Sequence, residues 1–199
     1  MSKKELTQKD LFNGKFNLIK DEPVQGPDGW PYLLVEYSSN GSESLSQLVN
    51  WLKDKGVGLV VNPNEEHPDF VFTYGMVWNA LSRGNFFSEL EENSKDVDEI
   101  VEFSENQKIS FGPPNEEYLP EFARKILKDF FNQQKIDDPK ILMISPDNVN
   151  WDLCFSLESL GNPPEDEHQG ILEAIAWFLP ADYSLVLVSE ANLPEFLSL

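Results

Sequence analysis

Lys140-Ile-Leu-Met-Ile-Ser145, Pro146-Asp-Asn148 and Asn150-Trp-Asp-Leu-Cys-Phe-Ser-Leu157 decide the fold. The first stretch is a short apolar run and reads as a strand. In the third, Trp151, Leu153, Phe155 and Leu157 alternate, which is the period of a second strand. The turn signal between them predicts an antiparallel hairpin. Helical patterns flank it. Pro120 suits a first helical position, where its missing N–H costs nothing, and Phe122, Ile126, Leu127, Phe130 and Phe131 then form an apolar face. After the hairpin, Asn162 and Pro163-Pro164 precede Glu165-Asp-Glu167, an acidic first turn that suits the positive pole of a helix. Ile171, Leu172, Ile175, Phe178 and Leu179 line that helix up to Pro180, and Tyr183-Ser-Leu-Val-Leu-Val188 reads as a final strand.

The first half repeats this alternation of periods. Trp30-Pro-Tyr-Leu-Leu-Val-Glu-Tyr37 is a strand. Ser44 and Gln47 have the spacing of a capping box, and Leu45, Leu48, Val49 and Leu52 follow at helical spacing. Gly56 ends that segment, and Val57-Gly-Leu-Val-Val61 and Asp69-Phe-Val-Phe-Thr73 read as two further strands. Thr73 caps a helix carrying Met76, Val77, Ala80 and Leu81, which stops at Gly84. Both halves thus read helix, strand, strand, helix, with further strands outside. The expected fold class is α+β: two related α/β halves with mainly antiparallel or mixed sheets and helices packed on one face.

The expected organisation has four parts. Residues 1–29 are a polar arm that Phe12, Phe16, Leu18 and Ile19 anchor as a short helix or strand. Residues 30–88 are the N-terminal half. Residues 89–118 are an acidic connection, and residues 119–199 are the C-terminal half. The tail, Leu193-Pro-Glu-Phe-Leu-Ser-Leu199, is apolar for a terminus. It docks either on its own half or on a second copy or partner.

The 199 residues carry 15 Lys and Arg against 35 Asp and Glu, a formal net charge of −20. So acidic a surface repels phosphate backbones and anionic membranes and favours fast, salt-sensitive association with basic partners. Met1-Ser-Lys-Lys-Glu-Leu is not followed by the apolar run of a secretory signal, and nothing approaches the about 18 apolar residues of a membrane span. A cytoplasmic protein is expected.

Chemistry-bearing residues are sparse. Cys154 is the single cysteine, so an intramolecular disulfide and a Cys/His zinc cluster are excluded. It sits between Leu153 and Phe155 and reads as core. His67, Glu165 and His168 are the residues from which an open metal site would have to be built. There is no nucleophile-elbow motif, and Gly56-Val-Gly58 does not open a phosphate-binding helix. The densest aromatic cluster is Phe70, Phe72, Tyr74 and Trp78, which serves either as core at a strand–helix junction or as anchors for a partner. Phe196 of the tail carries the same two readings.

Leu119-Pro-Glu at a helix start, the strand Ile141-Leu-Met-Ile and the strand Leu153-Cys-Phe-Ser-Leu resemble the C-terminal domain of the SseB (enhanced serine sensitivity) family. Glu167-His168, the stop at Phe178-Leu-Pro180 and the strand Ser184-Leu-Val-Leu-Val188 complete the pattern over about residues 119–199. The N-terminal half is similar to the family's other domain only in outline, through Phe70-Val-Phe-Thr73 and the helix after it. The resemblance implies an α+β fold of two related parts in a bacterial cytoplasmic protein, and no catalytic residues.

The leading expectation is therefore a non-catalytic bacterial cytoplasmic protein with a binding or regulatory role and no cofactor. Its partner is a protein, with basic character favoured, and a homodimer is the other arrangement; nucleic acid and membrane are not expected. The partner site would be Phe70, Phe72, Tyr74, Trp78 and Phe196. An immunity-type inhibitor of a basic toxin is the first alternative, and a metal-dependent enzyme using His67, Glu165 and His168 is the second.

Overall fold

The computed structural model describes residues 6–63, 67–87 and 109–199. The chain is α+β, with two mixed sheets and, among the described residues, five helices. It divides into two compact units. The first is Met1–Ser88 together with Trp177–Ala181, and the second is Glu89–Ala176 together with Asp182–Leu199.

The first unit opens with α1 (Gln8–Asn13), β1 (Lys15–Leu18), β2 (Val24–Gln25) and β3 (Pro31–Tyr37). There follow β4 (Glu43–Ser44), α2 (Leu45–Leu52), β5 (Gly58–Val61), β6 (Phe70–Phe72) and α3 (Tyr74–Arg83). The six-stranded sheet runs β4-β1-β3-β5-β6, with β2 also on β3. Strands β3 and β5 are parallel, joined by the crossover helix α2, and the other pairs are antiparallel. Of the expected arm, residues 1–5 lie outside the described residues, and the rest supplies α1, β1 and β2. Thr7 and Asp10 form a capping box on α1, and Leu11 and Phe16 lie fully inside the core.

The capping signals read from sequence act as expected. The Ser44 hydroxyl accepts from the Gln47 N–H at 3.3 Å, and the Gln47 side chain accepts from the Ser44 N–H at 2.8 Å. Thr73 caps α3, which stops at Gly84 in the left-handed conformation. Strand alternation then fixes the faces. Leu33 and Val35 of β3, Leu59 and Val61 of β5 and Phe72 of β6 form one core with Leu11 of α1, Leu45, Leu48 and Leu52 of α2, and Val77 and Ala80 of α3. Tyr32, Leu34, Val60 and Val71 occupy the alternate positions and therefore the opposite face of the sheet.

Trp177–Ala181 joins this unit through backbone contacts. The Trp177 carbonyl accepts from the Gly75 N–H at 3.0 Å, one of the donors that the first turn of α3 leaves unpaired. A Cβ on Gly75 would stand 1.9 Å from the Leu179 carbonyl oxygen. Only glycine lets the two backbones approach this closely.

The second unit contains β7 (Ser110–Gly112), α4 (Glu121–Gln133), β8 (Lys140–Ser145), β9 (Asp152–Ser156), α5 (Glu165–Ala176), β10 (Ser184–Val188) and β11 (Leu197–Ser198). Strands β8 and β9 are the antiparallel hairpin predicted from sequence, with Ile141 opposite Phe155 and Met143 opposite Leu153. The crossover helix α5 returns the chain to β10, parallel to β9. The order α4, β8, β9, α5, β10 thus repeats α1, β1, β3, α2, β5: a helix, an antiparallel pair, a crossover helix and a parallel strand.

This hairpin is apolar along its whole length because both of its faces are covered. Phe131 of α4 meets Phe155 on one face, with ring centroids 5.8 Å apart. On the other face Leu142, Ile144 and Cys154 cluster with Phe196 and Leu193 of the tail. The tail therefore docks on its own unit: β11 pairs with β8, and the Leu199 N–H donates to the Pro139 carbonyl at 2.9 Å. Of the predicted acidic connection, residues 89–108 lie outside the described residues.

The close approach at Gly75 makes a prediction with an internal control. Gly75→Ala is expected to destabilise the chain by about 1–3 kcal/mol, the usual range for overpacking. Gly170→Ala, inside α5 with open space around it, is expected to stabilise by about 0.5–1 kcal/mol. Thermal and urea unfolding of the two variants check the opposite signs.

Candidate functional site

The partner-site residues expected from sequence are mostly buried within their own units. Phe72, Tyr74, Trp78 and Phe196 are all less than 5% exposed, and Phe70 is half-buried beside Phe72. Strand alternation and the inner stripe of α3 aim the first three inward, and the Tyr74 hydroxyl donates to the Lys53 carbonyl at 2.5 Å. Burial pushes that phenol well above its ordinary range. A binding anchor has to be accessible, so these four side chains serve as core. Cys154 is also buried, and desolvation pushes its thiol up to about 12.

The residues of the metal alternative do not assemble. His67 is exposed in a loop of the first unit. Glu165 is exposed in the first turn of α5, and the His168 ring Nε2 lies 3.0 Å from the Pro163 carbonyl. Among the described residues no group of three His, Cys, Asp or Glu side chains could hold a metal ion. Glu65 and Glu66 lie outside the described residues.

A different site emerges on the first unit. The helix-free face of its sheet holds a cavity of about 530 Å³. Val24, Leu34, Val60 and Val71 form its apolar floor, and Pro27, Pro63 and Pro68 stand around them. Four strands, β2, β3, β5 and β6, supply one floor residue each. The prolines come from the turn after β2 and the loop between β5 and β6. Val71 is 50% exposed on β6, Val24 and Leu34 are half-buried and Val60 is buried, so the floor opens to solvent at Val71.

Two of its lining residues, Asp28 and Tyr32, belong to a polar and aromatic cluster. Asp28 accepts from the Trp30 N–H at 3.1 Å through one carboxylate oxygen and from the Tyr32 hydroxyl at 2.6 Å through the other. The Trp177 indole N–H donates to the Tyr32 oxygen at 3.3 Å. Trp30 and Trp177 stack at 4.7 Å, and Phe178 stands edge-on to Trp30 at 5.3 Å. Desolvation first, and then the hydrogen bond to Asp28, push the Tyr32 phenol up to about 12. Tyr32 therefore remains a neutral donor throughout the physiological range. Among the described residues the cavity lining includes no histidine, cysteine, serine or lysine, and Asp28 is its one carboxylate. The described residues offer apolar contact beside the Asp28 carboxylate.

A smaller concavity of about 370 Å³ lies between β1 and α2 of the same unit, lined by Leu18, Leu33, Leu48 and Trp51 with Asp21, Glu43 and Gln47. Lys55 sits over the Trp51 ring at 4.6 Å. Comparison of the chain with protein-family models, with curated proteins and with solved structures finds no match.

Two outcomes follow. Native Cys154 is expected to resist a thiol reagent such as a disulfide dye and to react fully on unfolding. Reaction of the native thiol at the unfolded rate would contradict its burial. Tyr32 contributes stability that is complete below its unfolded pKa near 10 and is lost as pH rises through about 12, because the unfolded phenol ionises first. Asp28→Asn is expected to lower the Tyr32 titration toward 10, read by NMR of carbon-labelled tyrosine.

Proposed function

We propose that this chain is a non-catalytic binding protein of the bacterial cytoplasm. Its first unit holds an extended protein segment in which apolar residues alternate with lysine or arginine. The observation that carries this reading is the apolar floor of Val24, Leu34, Val60 and Val71, open to solvent at Val71, beside the Asp28 carboxylate. The matching helix-free face of the second unit is covered by the chain's own apolar tail through Phe196 and Leu193. A second apolar segment is what the first face lacks. Pro27, Pro63 and Pro68 form stiff walls whose ordering costs little on binding. A net charge of −20 steers a basic segment toward the chain and makes its capture salt-sensitive. The SseB resemblance supports a bacterial cytoplasmic setting and supplies no catalytic residues. No helix among the described residues is long and apolar enough to cross a membrane.

The test is selection of a displayed random-peptide library on the full chain. The reading predicts a consensus of apolar residues with Lys or Arg whose binding weakens in half-molar salt. Val71→Gln, at a half-exposed floor position that leaves the core intact, is expected to weaken binding about tenfold or more, the loss of about 1.4 kcal/mol of apolar contact. Selected peptides that bind Val71→Gln as tightly as the natural chain would sink the proposal.

A further inference from the structure

Among the described residues, β10 is an edge strand without the lysine, proline or bulge that often blocks edge pairing. Among the described residues β9 is its one neighbour. It contains no lysine, proline or glycine, and its register with β9 runs without a bulge from Ser184 opposite Asp152 to Val188 opposite Ser156. Leu185, Val186, Leu187 and Val188 are all half-buried, whereas the four residues from Leu153 to Ser156 of β9 are fully buried. Four consecutive apolar side chains thus keep part of their surface in water.

The backbone defines what can be added. The Leu157 N–H donates to the Val188 carbonyl at 2.9 Å, so Val188 turns its peptide groups toward β9. Strand alternation turns Val186 the same way and sends the N–H and C=O of Leu185 and Leu187 outward. Leu185-Val186-Leu187 reads the same in both directions. An antiparallel partner centred on Val186 places Leu185 opposite Leu187 twice, and all four outward N–H groups and carbonyls find partners. A strand with this symmetry fits a second copy of itself.

We propose that β10 is a homodimerisation edge, at which two chains join antiparallel about Val186 to make one continuous ten-stranded sheet from two five-stranded ones. The same two-fold brings the end of β10 that follows Asp182 in one chain beside the end that precedes Glu190 in the other, at both ends of the pair. With a charge of −20 on each chain, repulsion keeps the dimer weak in dilute buffer, and salt strengthens it. This sign distinguishes the edge from capture of a basic segment, which salt weakens.

Sedimentation equilibrium of the full chain from micromolar to near-millimolar concentration, in low and half-molar salt, tests the proposal. A monomer–dimer equilibrium is expected, with the dissociation constant falling about tenfold or more at high salt. Leu185→Pro removes an outward N–H and no bond to β9, and Leu187→Lys places a charge on the edge; both are expected to remain folded by circular dichroism and monomeric. In hydrogen exchange, the Leu185 and Leu187 amides gain protection with concentration, while the Val186 amide is protected at all concentrations. A chain that stays monomeric throughout, a dimer that weakens with salt, or a dimer unchanged in Leu187→Lys would each overturn the proposal.

Discussion

The backbone of Leu179 lies so close to Gly75 that no side chain fits between them. This one approach lets Trp177–Ala181 complete a unit whose other residues end at Ser88. It gives the first turn of α3 the carbonyl acceptor that an isolated helix would lack. It also brings Trp177 against Trp30 and Tyr32, so Tyr32, a lining residue of the candidate site, is held by a side chain 145 residues away in sequence. The return of the chain after α5 thus braces Tyr32 behind the site.

The two units apply one plan with different outcomes. Each has a helix, an antiparallel strand pair, a crossover helix and a parallel strand, and each buries one sheet face under helices. They differ on the other face. In the second unit Phe196 and Leu193 seal it, and β11 and the bond from Leu199 to Pro139 hold the tail in place. In the first unit the equivalent face keeps a cavity lined by valines, leucine and proline. Apolar surface left open on an otherwise strongly acidic chain is costly in water, and recognition of a partner is the usual reason for it.

Much of the fold was legible because its signals are local. Capping at Ser44 and Thr73, the stop at Gly84, the alternation of Trp151 to Leu157 and the turn at Pro146 each act within a few residues. The capping box at Thr7 and Asp10 is equally local, but the polar segment around it carries no apolar stripe that marks a helix. The candidate site was not legible. Its floor takes single residues from four strands, and each of these residues reads as ordinary strand sequence. Trp177 stood at the end of a helical stripe, where nothing in the sequence shows that it leaves that helix to stack on Trp30. The aromatic run from Phe70 to Trp78 drew attention by density, yet density of this kind also marks a core, and Phe72 stacks on Phe86 at 3.8 Å inside it.

Methyl NMR of the full chain, titrated with a peptide of alternating leucine and arginine, tests the central claim most directly. The account predicts shifts concentrated on the methyls of Val24, Leu34, Val60 and Val71, with those of Leu33, Val35 and Leu59 on the helix face unmoved. Shifts spread over the acidic surface, or confined to the second unit, would contradict it.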